Sequence, residues 1–208
     1  ASDAGSIALS AREGMLLDGA LRGHAGNTAA RGGTLTVKLD GGTRGGTTGL
    51  PETRSRIEVS QDGNFVPDGL RPGDTVESYA NAGDPLANRY NGKAFVSLDR
   101  VAAGGFDALE LAARHRIEFN GDAQLALNRR LILDAQTIAA SANVSMLRFT
   151  VPYFASVNGW GAQDAVTAQP GSAIFEVNSR QLDLQGHVGF DGFDRIVLNA
   201  DDDIRLRG

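Results

Sequence analysis

The sequence predicts an all-β chain folded as a parallel β-helix, and three observations point there. Apolar residues recur every 21 or 22 positions through the C-terminal half, and within each repeat they alternate with a period of two. Glycine, at 27 residues, punctuates the chain, while aromatics make up only 6%. A fixed period of this size means one structural unit stacked on itself. Alternation marks a strand with one buried face, and regularly placed glycines supply turns. Three short strands per repeat, with no helical pattern between them, put each strand beside its equivalent one coil on, about 4.8 Å along the axis.

The first coil reads Ile7, Leu9, Ala11, then Met15, Leu17 and Gly19. Leu35, Val37 and Leu39 form the next first strand, and Ile57 and Val59 follow 22 residues after Leu35 and Val37. Between them the glycine- and threonine-rich run inside 41–55 is expected to leave the stack. A second excursion, 61–92, carries Pro67, Pro72 and Pro85 with several Asp-Gly turns, and is longer than an ordinary connection.

From Leu109 onward four rails are legible. The first is Leu109, Leu131, Tyr153, Phe175 and Ile196; the second is Leu111, Leu133, Ala155, Val177 and Leu198. The third is Ile117, Ile138, Trp160, Leu182 and Ile204; the fourth is Phe119, Ala140, Ala162, Leu184 and Leu206. A further strand follows, with Ala123, Val144, Val166 and Val188 in register, and Leu125, Met146, Ala168 and Phe190 beside them. About eight coils are expected, making residues 1–208 one unit. The final repeat is complete at Gly208. Because repeat arrays need caps, the chain is expected to be a segment of a larger protein.

Composition narrows the function. The net charge is -5 with scattered arginines, which offers no phosphate-binding face and argues against nucleic acid. No cysteine is present, so disulfide and thiolate chemistry are excluded. No run of about 18 apolar residues exists to cross a membrane as a helix. Residues Ala1 to Gly5 have neither the basic nor the apolar region of a signal peptide.

The stretch GSAIFEVNSRQLDLQGHVGFDGFDRIVLNADDDIRLRG, residues 171–208, resembles the filamentous-haemagglutinin-type exoproteins exported by two-partner secretion. The likeness rests on GxAxxxVxxxxLDLQG, the following GFxxxxLxxxxDIRLxG, and the earlier pairing of HRIEFNGDAQLAL with RRLILDA. It is best over 104–208 and extends to 2–40. The resemblance implies a right-handed β-helical shaft of a large secreted or surface protein, with an outer-membrane transporter as partner during export. Relatives of that kind are adhesins, biofilm-matrix proteins or stalks of contact-dependent toxin-delivery exoproteins, so a host-cell or matrix glycan or protein is the expected receptor. The expected role is a non-enzymatic rod for cell adhesion, located at the bacterial surface or outside the cell.

An alternative keeps the fold and makes it a polysaccharide-active enzyme, which needs two carboxyl groups about 5–9 Å apart beside a groove. The candidates are Asp191, Asp194, Asp201, Asp202 and Asp203, but consecutive aspartates in a turn point apart, and no outer carboxylate rail emerges. Asp62-Gly63-Asn64 and Asp68-Gly69 offer oxygen ligands without a calcium-loop pattern. His24, His115 and His187 lie far apart, and none has a local partner for zinc. No serine sits in a nucleophile motif. No catalytic residue, cofactor or metal site is therefore expected. Among the aromatics Phe149, Tyr153, Phe154 and Trp160, the register turns Tyr153 and Trp160 inward and Phe154 outward. Phe154, Tyr79 and Tyr90 are the candidate contact residues.

Leu133→Asp, on the second rail, is expected to bury an unpaired charge and prevent folding. A native circular dichroism spectrum and an unchanged melt would overturn the register.

Overall fold

A computed structural model describes residues 2–12, 14–40, 55–74, 92–161 and 168–208. Among them the early strands are β1 (Ser6–Ala11), β2 (Gly14–Leu16), β3 (Gly33–Leu39), β4 (Arg56–Ser60) and β5 (Lys93–Ser97), followed by a short helix, Leu98–Ala103. Next come β6 (Phe106–Ala113), β7 (Arg116–Phe119), β8 (Ala123–Ala126), β9 (Arg130–Asp134) and β10 (Thr137–Ala140). The last four are β11 (Met146–Val157), β12 (Ala173–Gln185), β13 (Gly189–Asp191) and β14 (Phe193–Arg207). Every pairing among these strands is parallel. The larger sheet runs β1–β3–β6–β9–β11–β12–β14, with β8 also beside β11, and the smaller runs β13–β10–β7–β4–β5–β2. The chain is all-β with parallel sheets, as its alternation predicts.

Inward side chains of the larger sheet form two continuous rails. One links Ile7, Leu35, Leu109, Leu131, Phe154, Leu182 and Ile204. The other links Leu9, Val37, Leu111, Leu133, Ser156, Leu184 and Leu206. The expected pairings Leu109–Leu131, Leu111–Leu133, Ile117–Ile138, Phe119–Ala140, Phe175–Ile196, Val177–Leu198, Leu182–Ile204 and Leu184–Leu206 are all present.

The expected register fails at β11. From Leu131 the rail steps 23 residues to Phe154, one more than the even period assumes. A one-residue shift turns every side chain of a strand to its other face. Phe154 is therefore 0% exposed in the core, not outward as expected, and its ring lies 6.0 Å from that of Phe175. Tyr153 takes the outer position, where its hydroxyl donates to Asp183 Oδ2 at 2.7 Å. Burying the hydroxyl-free ring and leaving the phenol at the rim satisfies both groups. Pro152 separates the part of β11 that pairs with β8 from the part that pairs with β9.

Other corrections follow from the same cause, a constant period carried across connections of unequal length. Ile138 continues to Phe190 rather than Trp160, which lies beyond β11, half-buried, with the Lys38 ammonium 4.7 Å from its ring centroid. Ala123 and Leu125 pair with Leu147 and Phe149, not with Val144 and Met146. Ile57 and Val59 belong to the smaller sheet, beside Ile117 and Phe119, and do not stack on Leu35 and Val37. Ala162 and Val166 lie outside the described residues.

The two sheets share one apolar core that runs the length of the stack. Phe119, Phe149 and Phe175 form an axial column with centroids 5.6 Å apart, and Phe175 ends it edge-on against Phe190 and Phe193. The short helix starts at Ser97, whose Oγ accepts from the Arg100 N–H, and buries Leu98 and Val101 while packing against β6 and β8.

The expected excursion of 41–55 lies outside the described residues except for Ser55, which is buried and bonded to His115 Nδ1 at 3.1 Å. Of the second, 61–92, residues 61–74 fold back onto the first layer. The Phe65 and Val66 N–H groups donate to the Asp18 carboxylate at 2.7 and 2.6 Å, and Phe65 stacks on Phe95 at 5.3 Å. Arg100 donates to the Asp18 carbonyl and to Asn64 Oδ1, each at 2.6 Å. The chain then returns as β5, which inserts between β2 and β4. A charge ladder crosses the outer face of this sheet: Lys93 meets Glu58 at 3.2 Å, Arg56 meets Glu58 at 2.9 Å, and Arg116 meets Asp191 at 2.7 Å.

Leu131→Ala, at a site 2% exposed, is expected to cost about 2–5 kcal/mol. Leu206→Ala, on the same face but 76% exposed at the last strand, should stay within about 0.5 kcal/mol. Denaturant midpoints of the two variants check the pair.

Candidate functional site

Strand alternation that sends Leu147, Phe149, Phe175 and Val177 inward sends Arg148, Thr150, Glu176 and Asn178 outward. Parallel register lines these up across three strands: Arg148 beside Glu176 and Val197, Thr150 beside Asn178 and Asn199. Their side chains are knitted together. Arg148 Nε donates to Glu176 Oε1 at 3.1 Å, and Asn178 Nδ2 donates to the same oxygen at 2.8 Å. Asn199 Nδ2 donates to Asn178 Oδ1 at 2.9 Å. The Asn178 amide, and then the Arg148 guanidinium, hold the Glu176 carboxyl below its ordinary range.

An open groove of about 400 Å³ lies beside this ladder, lined among others by Asn128, Thr150, Pro152, Asn178, Asn199 and Asp201. It sits where β12 and β14 slip register between Ser179 and Gln181. The Ser179 hydroxyl reaches the carbonyls of Pro152 at 3.1 Å and Gln181 at 2.8 Å, which braces the bulge. Arg180 is thrown outward and meets Asp202 at 2.9 Å. A second open groove, of about 470 Å³, lies on the other side of Arg148, between Gln61, Asp99, Asp122 and Gln124. Backbone N–H groups of Met146 and Ser145 hold the Asp122 carboxyl below its usual range.

The expected candidates are not gathered in either groove. Phe154 is in the core and offers no contact surface, while Tyr79 and Tyr90 lie outside the described residues. Asp191 is buried and bound to Arg116 at 2.7 Å and to the Gln169 N–H at 2.7 Å, which makes it a structural carboxylate. Asp194 is exposed, as are Asp201, Asp202 and Asp203, of which Asp201 lines the first groove and Asp202 holds Arg180. His115 bonds Ser55, while the His187 carbonyl accepts from Asn158. No three His, Asp or Glu side chains among the described residues are arranged to hold a metal ion.

Two outward aromatics escaped the sequence reading. Tyr153 bonds Asp183, which also lies 3.7 Å from Arg205 and 3.5 Å from Arg207; burial, and then the Asp183 bond, push the phenol up from its ordinary range. Trp160 packs on Lys38 near Asp134, which accepts from the Gly159 N–H at 2.8 Å. Burial pushes the Asp134 carboxyl up, against the pull of the Gly159 bond and of Lys38. The extra residue between Leu131 and Phe154 was the only signal that could have exposed the parity of Tyr153. No family model matches the chain, and neither a curated protein nor a solved structure does.

Asp134 binds its proton more tightly in the folded chain than in the unfolded one. Its contribution to stability therefore falls as pH rises from the ordinary carboxylate range through the raised folded value. Asp134→Asn keeps the acceptor for Gly159 and removes the charge, so melting at pH 7 should rise, by less than about 4 °C since solvent screens a half-exposed group. The gain should vanish near pH 3. A variant that melts lower at pH 7 would show that the Lys38 attraction outweighs burial.

Proposed function

We propose that this chain is a right-handed parallel β-helix with coils of about 21–22 residues, a non-enzymatic rod segment of a filamentous-haemagglutinin-like exoprotein. The observation that carries this reading is the pair of inward rails, apolar except at Ser156, that run through seven parallel strands of the larger sheet in chain order. Between most neighbouring strands of that sheet the chain visits the smaller one, as at β6, β7, β9 and β10, which is how a coiled chain advances one rung per turn; between β11 and β12 no strand of the smaller sheet is described. Seven rungs give a stack about 29 Å long at the usual strand spacing.

Such a segment holds its recognition surfaces on a stiff support and away from the cell. Export through a two-partner secretion transporter, a place at the cell surface or outside it, and adhesion to host cells or matrix belong to the same reading, supported by the quoted motifs. The absence of cysteine suits a chain that crosses the periplasm unfolded. A catalytic role is disfavoured because Asp191, Asp202 and Asp183 are each engaged by cationic side chains.

The test applies the purified chain to cultured epithelial cells and, separately, to a panel of polysaccharides. Saturable cell binding without release of reducing sugar is the expected result. Sugar release that disappears in Asp201→Asn would replace the rod with an enzyme. Folded protein that leaves the cells bare would remove adhesion from this segment.

A further inference from the structure

We infer that the groove at the β14 bulge binds a neutral glycan chain laid along the stack. This deepens the adhesive reading by naming a ligand class and rests on it for its biological sense, but binding to isolated glycans is measured independently of cells. The groove takes polar side chains from successive rungs: Asn128 after β8, Thr150 on β11, Asn178 on β12 and Asn199 on β14. Neighbouring strands lie about 4.8 Å apart, so hydrogen-bonding groups recur at a spacing close to the advance of one sugar along an extended chain. A linear polymer meets the same amide or hydroxyl at each step.

The chemistry of the lining selects among polymers. Amides and a hydroxyl offer both donors and acceptors, which is what sugar hydroxyls require. The corner carries no surplus cation, since Arg180 is held by Asp202 and Asp201 adds one further carboxylate. A sulfated or phosphorylated chain would meet that carboxylate without a surplus cation. Leu127, Val151 and Pro152 supply an apolar floor on which the C–H face of a sugar can rest. At about 400 Å³ the groove has the size of a small-ligand site.

Two features show that the lining is organised in advance. Asn199 is fixed by Asn178, and Asn178 by Glu176, so both amides are oriented before any ligand arrives. The bulge on β14, where Asp201 and Asp202 stand opposite Arg180, opens the corner, and bulges are enriched beside functional sites because they re-aim side chains. The Thr150 hydroxyl and the Asp201 carboxylate have no hydrogen-bond partner among the described residues, which leaves them available to a ligand. Thr150 and Asn199 are exposed and can be changed without disturbing the core.

The experiment titrates the purified chain by affinity electrophoresis and calorimetry against laminarin, mannan, dextran and cello-oligosaccharides, with heparin as the anionic comparison. Saturable binding to at least one neutral glycan is expected, weakened at least tenfold in Asn199→Leu and in Thr150→Lys. Both variants should keep the parent melting temperature, and Gln124→Ala, in the second groove, should keep the parent affinity. The proposal is overturned if no neutral glycan binds, if heparin alone binds, or if both groove variants retain full affinity. Cell binding that persists while every glycan fails would leave the adhesive rod standing and remove only this ligand.

Discussion

Parallel in-register stacking ties each inward side chain to the ones above and below it, and that constraint governs the rest of the molecule. Strands about 4.8 Å apart bring equivalent side chains into contact, so a rail tolerates changes of size only where its neighbours compensate. The aromatic column shows this. Phe119, Phe149 and Phe175 repeat one ring at one spacing, and two further rings close the end. Tyr153 shows the limit, because a phenol in the same position would need a buried partner for its hydroxyl. The strand resolves this by placing Phe154 in the rail and Tyr153 against Asp183.

The outer faces obey the same geometry with different chemistry. Polar residues that share a rung position become neighbours across strands: on the larger sheet they pair as Arg148 with Glu176 and Asn178 with Asn199, while on the smaller sheet a column of Lys93, Arg56 and Arg116 is offset by ion pairs to the adjacent column of Glu58 and Glu118. On the smaller sheet the ladder joins Lys93, Glu58, Arg56, Glu118, Arg116 and Asp191. On the larger it passes from Arg148 through Glu176 and Asn178 to Asn199. Partly exposed ion pairs contribute little individually. Their effect here is to fix side-chain positions, so a groove between them keeps its shape.

The rails from Leu109 to Ala140 were legible because five strands, β6 to β10, follow one another there with short connections, and β7, β8 and β9 alternate strictly. Legibility ended at residues 141–153, where a longer connection and Pro152 add one residue to the step and reverse the parity of residues 153–157, after which the expected pairings resume in β12 and β14. The position of β5 was hidden for another reason. Its burial pattern is iBBBB, without alternation, since both faces of Lys93–Ser97 are covered. The groove was least visible of all. It depends on outward residues brought together from four different strands and connections and on a bulge, and a period of apolar residues carries no information about either.

The place of β5 has a consequence for how the chain assembles. β5 follows β4 in sequence but lies between β4 and β2, so Met15 and Leu16 have no strand partner until Ala94 and Phe95 arrive. A chain that emerges N-terminus first cannot lengthen the smaller sheet by adding each new strand to the last. Its first layer must wait for residue 97 and then close as one cooperative step, with the entropy of a long loop paid at once. From β9 onward every new strand of the larger sheet finds its partner already formed. Growth there is sequential, and the slow, vulnerable interval of assembly is confined to the N-terminal part of the chain.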